Sequence, residues 1–173
     1  PVVYNTSGYE RVETLKNLEG IVDVYLPDFK YTDSTYAKRY SNAPDYFDVT
    51  KAALAEMVRQ HPKPQFADKQ EAAVRGIEEG IMTGGVIVRH LMLPGLLKDT
   101  KAVIRYLYET YGDSIYISIM NQYTPMSGIE VQYPELGRKI TLREYDEVVD
   151  YAIESGVENG FIQEGETAEE SFI

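Results

Sequence analysis

Short apolar runs alternate with longer amphipathic stretches along the whole chain. Val2-Val3-Tyr4 leads into the polar turn Asn5-Thr6-Ser7-Gly8, then into a helical stretch over residues 11–18 that Gly20 ends. Residues 21–26 form the next apolar run, closed by Pro27-Asp28. Residues 45–60 carry apolar side chains at 46, 49, 53, 54, 57 and 58, a helical stripe whose first turn Pro44 suits. Residues 86–93 are the strongest strand, ended by Pro94-Gly95. Asp99 is placed to cap a helix over 100–111, which Gly112 closes. A strand at 114–120 and a helix at 142–154 follow; Thr141 and Glu144 match a capping box, and Gly156 is the stop. A last short strand is expected at 159–163.

Alternation of this kind predicts parallel βαβ units, with about five strands whose continuous apolar runs suit burial on both faces. Residues 30–44 and 129–138 read as loops, and 69–79 as a possible helix. No linker divides the chain, so residues 1–173 are expected to form a single domain. The chain starts in a strand pattern without an initiator Met and stops on Phe172-Ile173, which reads as a piece cut from a longer protein.

Composition narrows the chemistry. The 28 acidic against 17 basic residues give a net charge of −11, which disfavours nucleic-acid binding. No apolar run reaches the roughly 20 residues of a membrane helix, and no export signal opens the chain, so a cytoplasmic protein is expected. The absence of cysteine excludes disulfides, a thiol nucleophile and thiolate-held metal within these residues. Gly76, Gly80, Gly84 and Gly85 fit no phosphate-binding fingerprint. The 15 tyrosines are scattered and read as packing and edge residues.

In parallel α/β folds, reactive groups collect at the carboxyl ends of strands. Each strand end here is polar, from Asn5-Thr6-Ser7-Gly8 to Gln163-Glu164-Gly165-Glu166. Asp28 and Lys30 share parity with Val22, Val24 and Leu26, so one face would be apolar below and charged above. The pair could hold a carboxylate, an ammonium or a ribose hydroxyl, or form an ordinary salt bridge. Arg89 lies within an apolar strand and needs an anionic partner, either a protein carboxylate such as Asp28 or a ligand carboxylate. His90 points to the opposite face and reads as a satisfied core histidine; His61 is expected to be exposed. Asn121 and Gln122 suit either a neutral polar edge, such as a base or an amide, or loop capping.

The segments around Asn5-Thr6-Ser7-Gly8, Asp28-Phe29-Lys30-Tyr31, Arg89-His90-Leu91-Met92-Leu93-Pro94-Gly95, Asn121-Gln122-Tyr123-Thr124-Pro125 and Asn159-Gly160-Phe161-Ile162-Gln163 together resemble the later part of radical S-adenosylmethionine proteins, in the branch that is pyruvate formate-lyase activating enzyme-like. The resemblance implies an α/β fold that is a TIM-like half barrel, a fragment of a (β/α)6 barrel. It implies S-adenosylmethionine and a [4Fe–4S] cluster as cofactors of the intact protein, with the cluster's cysteines lying before this segment. Asn5 stands where the family has an aspartate followed by Thr-Asn-Gly. Asp28 and Lys30 match an Asp-x-Lys motif at the cofactor end, and Arg89 matches an arginine that approaches the cofactor. Thr124 stands where activating enzymes often carry a histidine, and Asn121 and Gln122 are placed to replace it. Implied partners are a glycyl radical enzyme or other protein substrate and an electron donor such as flavodoxin or ferredoxin, with no nucleic acid or membrane. The chain alone is expected to be inactive. Two other readings stand beside this one: a Schiff-base aldolase-like barrel using Lys30, and a non-catalytic interaction module whose open strand edges and apolar inner face demand a partner, whether the missing half of the barrel, a second copy or another protein.

Overall fold

The computed structural model describes residues 1–162. Six strands, β1 (Val3–Thr6), β2 (Val24–Pro27), β3 (Gln65–Phe66), β4 (Met82–Leu91), β5 (Tyr116–Met120) and β6 (Gly160–Ile162), form one sheet. Five are parallel, in the order β1-β2-β4-β5-β6, and β3 pairs antiparallel with the start of β4. The α/β class with a parallel sheet is therefore as the strand–helix alternation predicts. The expected strand end at 163–166 and the terminus through Ile173 lie outside the described residues.

The connecting helices are α1 (Val12–Lys16), α2 (Ser34–Ser41), α3 (Tyr46–Gln60), α4 (Lys69–Arg75), α5 (Leu97–Tyr111), α6 (Ile129–Gln132) and α7 (Leu142–Glu154). Four of them bury their stripes on one face of the sheet. Leu15 of α1, Leu54 and Met57 of α3, Ile104 and Leu107 of α5 and Val148 of α7 share one core with Tyr25, Val86, Val88 and Ile117. Pairing of Tyr25 with Val86 and of Val88 with Ile117 fixes those strand residues on the same side. The opposite face carries a smaller apolar layer of Val24, Leu26, Ile87 and Tyr116 with Met82. On this face the edge-strand residues Val3 and Phe161 are 42% and 47% exposed. Parallel strands that neighbour one another in chain order, with right-handed crossovers, put their helices on one side; a doubly wound sheet would reverse its order and cover both.

Several local expectations are corrected. Residues 30–44 contain a helix, because the Asp33 side chain accepts from the Thr35 amide and caps α2. Residues 129–138 hold α6 and a 3-10 turn, Pro134–Leu136. Asp99 does not cap α5: it lies inside the first turn, after the N-cap Leu96. Its buried carboxylate instead accepts from the amides of Thr32 (3.2 Å) and Asp33 (3.1 Å) and from the Thr32 hydroxyl. His61 is not free in solvent, because its Nε2 meets the Val22 carbonyl oxygen at 2.9 Å and its ring lies against Tyr25. Val22 joins the helix-side core rather than the Asp28 face. The capping box of α7, Thr141 with Glu144, is present as expected.

Candidate functional site

Hydrogen bonding between adjacent strands draws three of the expected residues together at the carboxyl end of the sheet. Asp28 and Arg89 form a parallel bridge just beyond the regular pairing of β2 with β4, and the Phe29 amide donates to the Arg89 carbonyl oxygen at 2.8 Å. The two side chains therefore lie side by side on the open face. Arg89 Nε and Nη2 donate to Asp28 Oδ1 at 3.0 and 2.7 Å. Arg89 Nη2 also donates to Asn5 Oδ1, at 2.7 Å, at the end of β1. Partial exposure, 24% for Arg89 and 27% for Asp28, leaves the pair open to solvent and to a ligand. Among the described residues, Arg89 Nη1 and Asp28 Oδ2 make no hydrogen bond. The site therefore offers N–H donors and a carboxylate acceptor within one side-chain pair.

The backbone beneath this pair is held at almost every polar atom. The Asp28 amide donates to the Thr6 carbonyl oxygen at 2.9 Å. The Lys30 amide donates to the Tyr46 hydroxyl at 3.0 Å. The Tyr46 hydroxyl lies 2.9 Å from the Ser7 carbonyl oxygen and 3.1 Å from that of Asp28, so its one proton is shared between them. Gly8 has φ +79°, and a Cβ there would run into the Asp28 carbonyl oxygen, so the β1 loop lies against the end of β2 without a side chain between.

His90 faces the helices, as its parity predicts, and is buried. Its Nδ1 meets the Phe29 carbonyl oxygen at 2.7 Å and its Nε2 the Thr100 hydroxyl at 3.0 Å. A carbonyl can only accept, so Nδ1 carries the proton, and a neutral ring then accepts from Thr100 through Nε2. Burial lowers its pKa below the ordinary value, opposed by the Phe29 carbonyl and by the charges of Asp99 and Asp28. The imidazole thus fixes Phe29, the residue between Asp28 and Lys30, to α5.

The remaining expected residues are placed differently. Lys30 is half-buried at the end of the Asp28 segment, and its ammonium makes no ion pair among the described residues; Asp28 is taken by Arg89 instead. Asn121 is half-buried and Gln122 exposed just past β5, whereas the Arg89 side chain bonds to Asp28 and Asn5. Gln122 Nε2 approaches Met120 Sδ at 3.8 Å. Sequence reasoning missed Tyr46, Gly8 and Asp99 as organisers. Their contacts cross 16 to 67 residues of chain, and spacing carries no signal over that range.

A second tie lies at the same end of the sheet. Glu135 accepts from Arg39 Nε at 2.8 Å and from the Tyr40 hydroxyl at 2.6 Å, and the Arg39 guanidinium lies over the Tyr40 and Tyr133 rings at 5.6 and 5.1 Å. These contacts join α2 to the segment that follows α6. Among the described residues no group of three or more acidic or histidine side chains is placed to hold a metal ion, and no helix is long and apolar enough to cross a membrane.

No family model matches the chain. It is similar to the uncharacterized protein MJ0674 of Methanocaldococcus jannaschii, with 30% identity over 153 residues, which is 88% of this chain and 38% of that protein. The chain therefore spans little more than a third of the length of the curated relative it matches.

Proposed function

We propose that this chain forms the cofactor-facing wall of a TIM-like, partial (β/α) barrel in a radical S-adenosylmethionine enzyme. The observation that carries the reading is Arg89 bridging Asp28 and Asn5, three side chains from three adjacent parallel strands at the carboxyl end of an open sheet face. Strand order and helices on one side support a barrel wall rather than a doubly wound sheet.

The donor set fits S-adenosylmethionine. A carboxylate oxygen not used by Arg89 can accept from ribose hydroxyls or from the methionine ammonium. The outer guanidinium N–H groups and the Lys30 ammonium can donate to the methionine carboxylate or to the ribose. In this reading Asp28, Arg89, Asn5 and Lys30 bind and orient the cofactor, and Asn121 and Gln122 lie further along the same rim. The cluster fits no residues here, since the chain has no cysteine; its ligands belong to another part of the longer protein. A bound cluster would supply reducing chemistry from outside this chain, and this chain's own work is to bind and orient the cofactor. A glycyl radical enzyme or another protein is the proposed substrate, and flavodoxin or ferredoxin the proposed electron donor.

The test uses the full natural protein purified without oxygen. The expected result is about four iron atoms per chain together with dithionite-dependent conversion of S-adenosylmethionine to 5′-deoxyadenosine and methionine. A protein without iron, or one that leaves S-adenosylmethionine intact under reduction, overturns the reading.

A further inference from the structure

The turn after β1 and the segment after β2 meet beside the Arg89–Asp28 pair. Asn5 belongs to the end of β1, and Asp28 and Lys30 to the end of β2. Regular pairing of these strands reaches only as far as Thr6 with Pro27. Asn5 is held within that pairing, opposite Leu26, and the Asp28 amide extends it to the Thr6 carbonyl oxygen at 2.9 Å; past these residues the spacing of the Ser7–Gly8 turn from the Phe29–Lys30 segment is set by other atoms.

One hydroxyl touches both loops. Tyr46 Oη accepts from the Lys30 amide and shares its proton between the Ser7 and Asp28 carbonyl oxygens. The Tyr46 ring is buried, 2% exposed, at the first position of α3, stacked on Tyr9 at 6.0 Å and edge-on to Phe29 and Tyr31. The ring is carried by α3 and packs against Tyr9 after β1 and against Phe29 and Tyr31 after β2, the same two segments that its hydroxyl joins. We infer that Tyr46 is a positioning residue of the site, whose hydroxyl fixes the Ser7–Gly8 turn against the Asp28–Lys30 segment and with it the orientation in which Asp28 meets Arg89. The consequence for cofactor binding rests on the function proposed above; the consequence for Arg89 does not.

The test is Tyr46→Phe, which keeps the ring and its stacking and deletes three hydrogen bonds to backbone. The readout is the Arg89 Nε–H resonance in a ¹⁵N-labelled sample, since that N–H points at Asp28 Oδ1. The expected result is a folded variant whose Arg89 Nε–H signal shifts and exchanges faster with water. Tyr9→Phe, which removes a hydroxyl bonded to Asp45 and leaves Tyr46 intact, is expected to keep the wild-type signal. An unmoved Arg89 signal in Tyr46→Phe, or an equal shift in both variants, overturns the inference. If Tyr46→Phe does not fold, hydrogen exchange of the wild-type Lys30 amide decides: protection matching the β2 amides is expected, and exchange as fast as in an exposed loop overturns it.

S-adenosylmethionine titration of the same samples separates the two claims. Wild-type binding weakened about tenfold in Tyr46→Phe, or about 1.4 kcal/mol, supports both. Affinity unchanged by the variant overturns the positioning role in binding. Absence of wild-type binding counts against the proposed function, and the Arg89 resonance still decides the positioning role.

Discussion

Arg89 places both its Nε and its Nη2 on the same oxygen of Asp28, at 3.0 and 2.7 Å, and leaves the other carboxylate oxygen unbonded within the described residues. A fork-to-fork pair would have used both oxygens and closed the site. The one-oxygen arrangement holds Asp28 in place and keeps an acceptor and a guanidinium edge turned outward.

Removing the charge tests how much this pair holds the fold. Both side chains are about a quarter exposed, so the interaction is screened and its contribution modest. Asp28→Asn and Arg89→Met are each expected to lower unfolding free energy by about 1 kcal/mol. A double-mutant cycle by urea unfolding is expected to give a positive coupling of less than about 1 kcal/mol. A coupling of several kcal/mol would mark the pair as a buried structural element rather than an open site.

Gly8 tests the contact between the loops directly. Alanine there meets both a positive φ and the Asp28 carbonyl oxygen. Gly8→Ala is expected to cost about 2 kcal/mol or more in chemical denaturation. A loss under about 0.5 kcal/mol, the ordinary surface value, would show that the β1 loop has room to move.

His90 gives the protein a stability dependence on pH in a defined window. Its folded-state pKa is lowered by burial, so below the ordinary value of 6.5 the unfolded chain binds a proton that the folded chain resists. Its contribution is complete above pH 6.5 and is lost as pH falls towards the folded value. Glu56 and Glu144, each held near 2 chiefly by hydrogen bonds from Arg59 and Arg138, lose theirs only as pH falls from 4.5 towards 2. Unfolding measured between pH 7 and pH 5 is expected to lose stability with a slope of at most about 1.4 kcal/mol per pH unit. His90→Gln is expected to flatten that slope. An identical slope in the variant would assign it to other groups.

The capping box supplies a control whose hydrogen bonds involve none of Asn5, Asp28, Lys30 or Arg89. Thr141 accepts from the Glu144 amide at 3.2 Å and the Thr141 amide donates back to Glu144 at 2.9 Å. Thr141→Ala is expected to cost about 1 kcal/mol, or a melting point lower by about 2–4 °C for a chain of this size. Ligand binding is expected to stay at the wild-type value in that variant.

Much of this architecture was legible along the chain, for physical reasons. Buried parallel strands are continuous apolar runs, so β4 and β5 stand out, and opposite parity alone separates Arg89 from His90. The need of a half-buried guanidinium for an anion pointed to Asp28, which is its partner. What escaped was non-local or weakly patterned. Helix α2 buries little beyond Ala37, so its periodicity is faint, although Asp33 before Ser34 was a capping signal. Strand β3 has two residues, too short for any alternation to register. Asp99 looked like a cap because only its own helix was in view; its partners are Thr32 and Asp33, from the other side of the site. Asn5 was expected near the cofactor, but its bond to Arg89 crosses 84 residues and follows from strand order, which spacing does not encode.

The most direct test of the account is a titration of the full natural protein with S-adenosylmethionine, comparing wild type with Asp28→Asn and Arg89→Met and with Thr141→Ala as the folded control. The account predicts saturable wild-type binding, weakened at least tenfold in both site variants and unchanged in the control. Binding that is equal in all four proteins, or absent from the wild type, would contradict it.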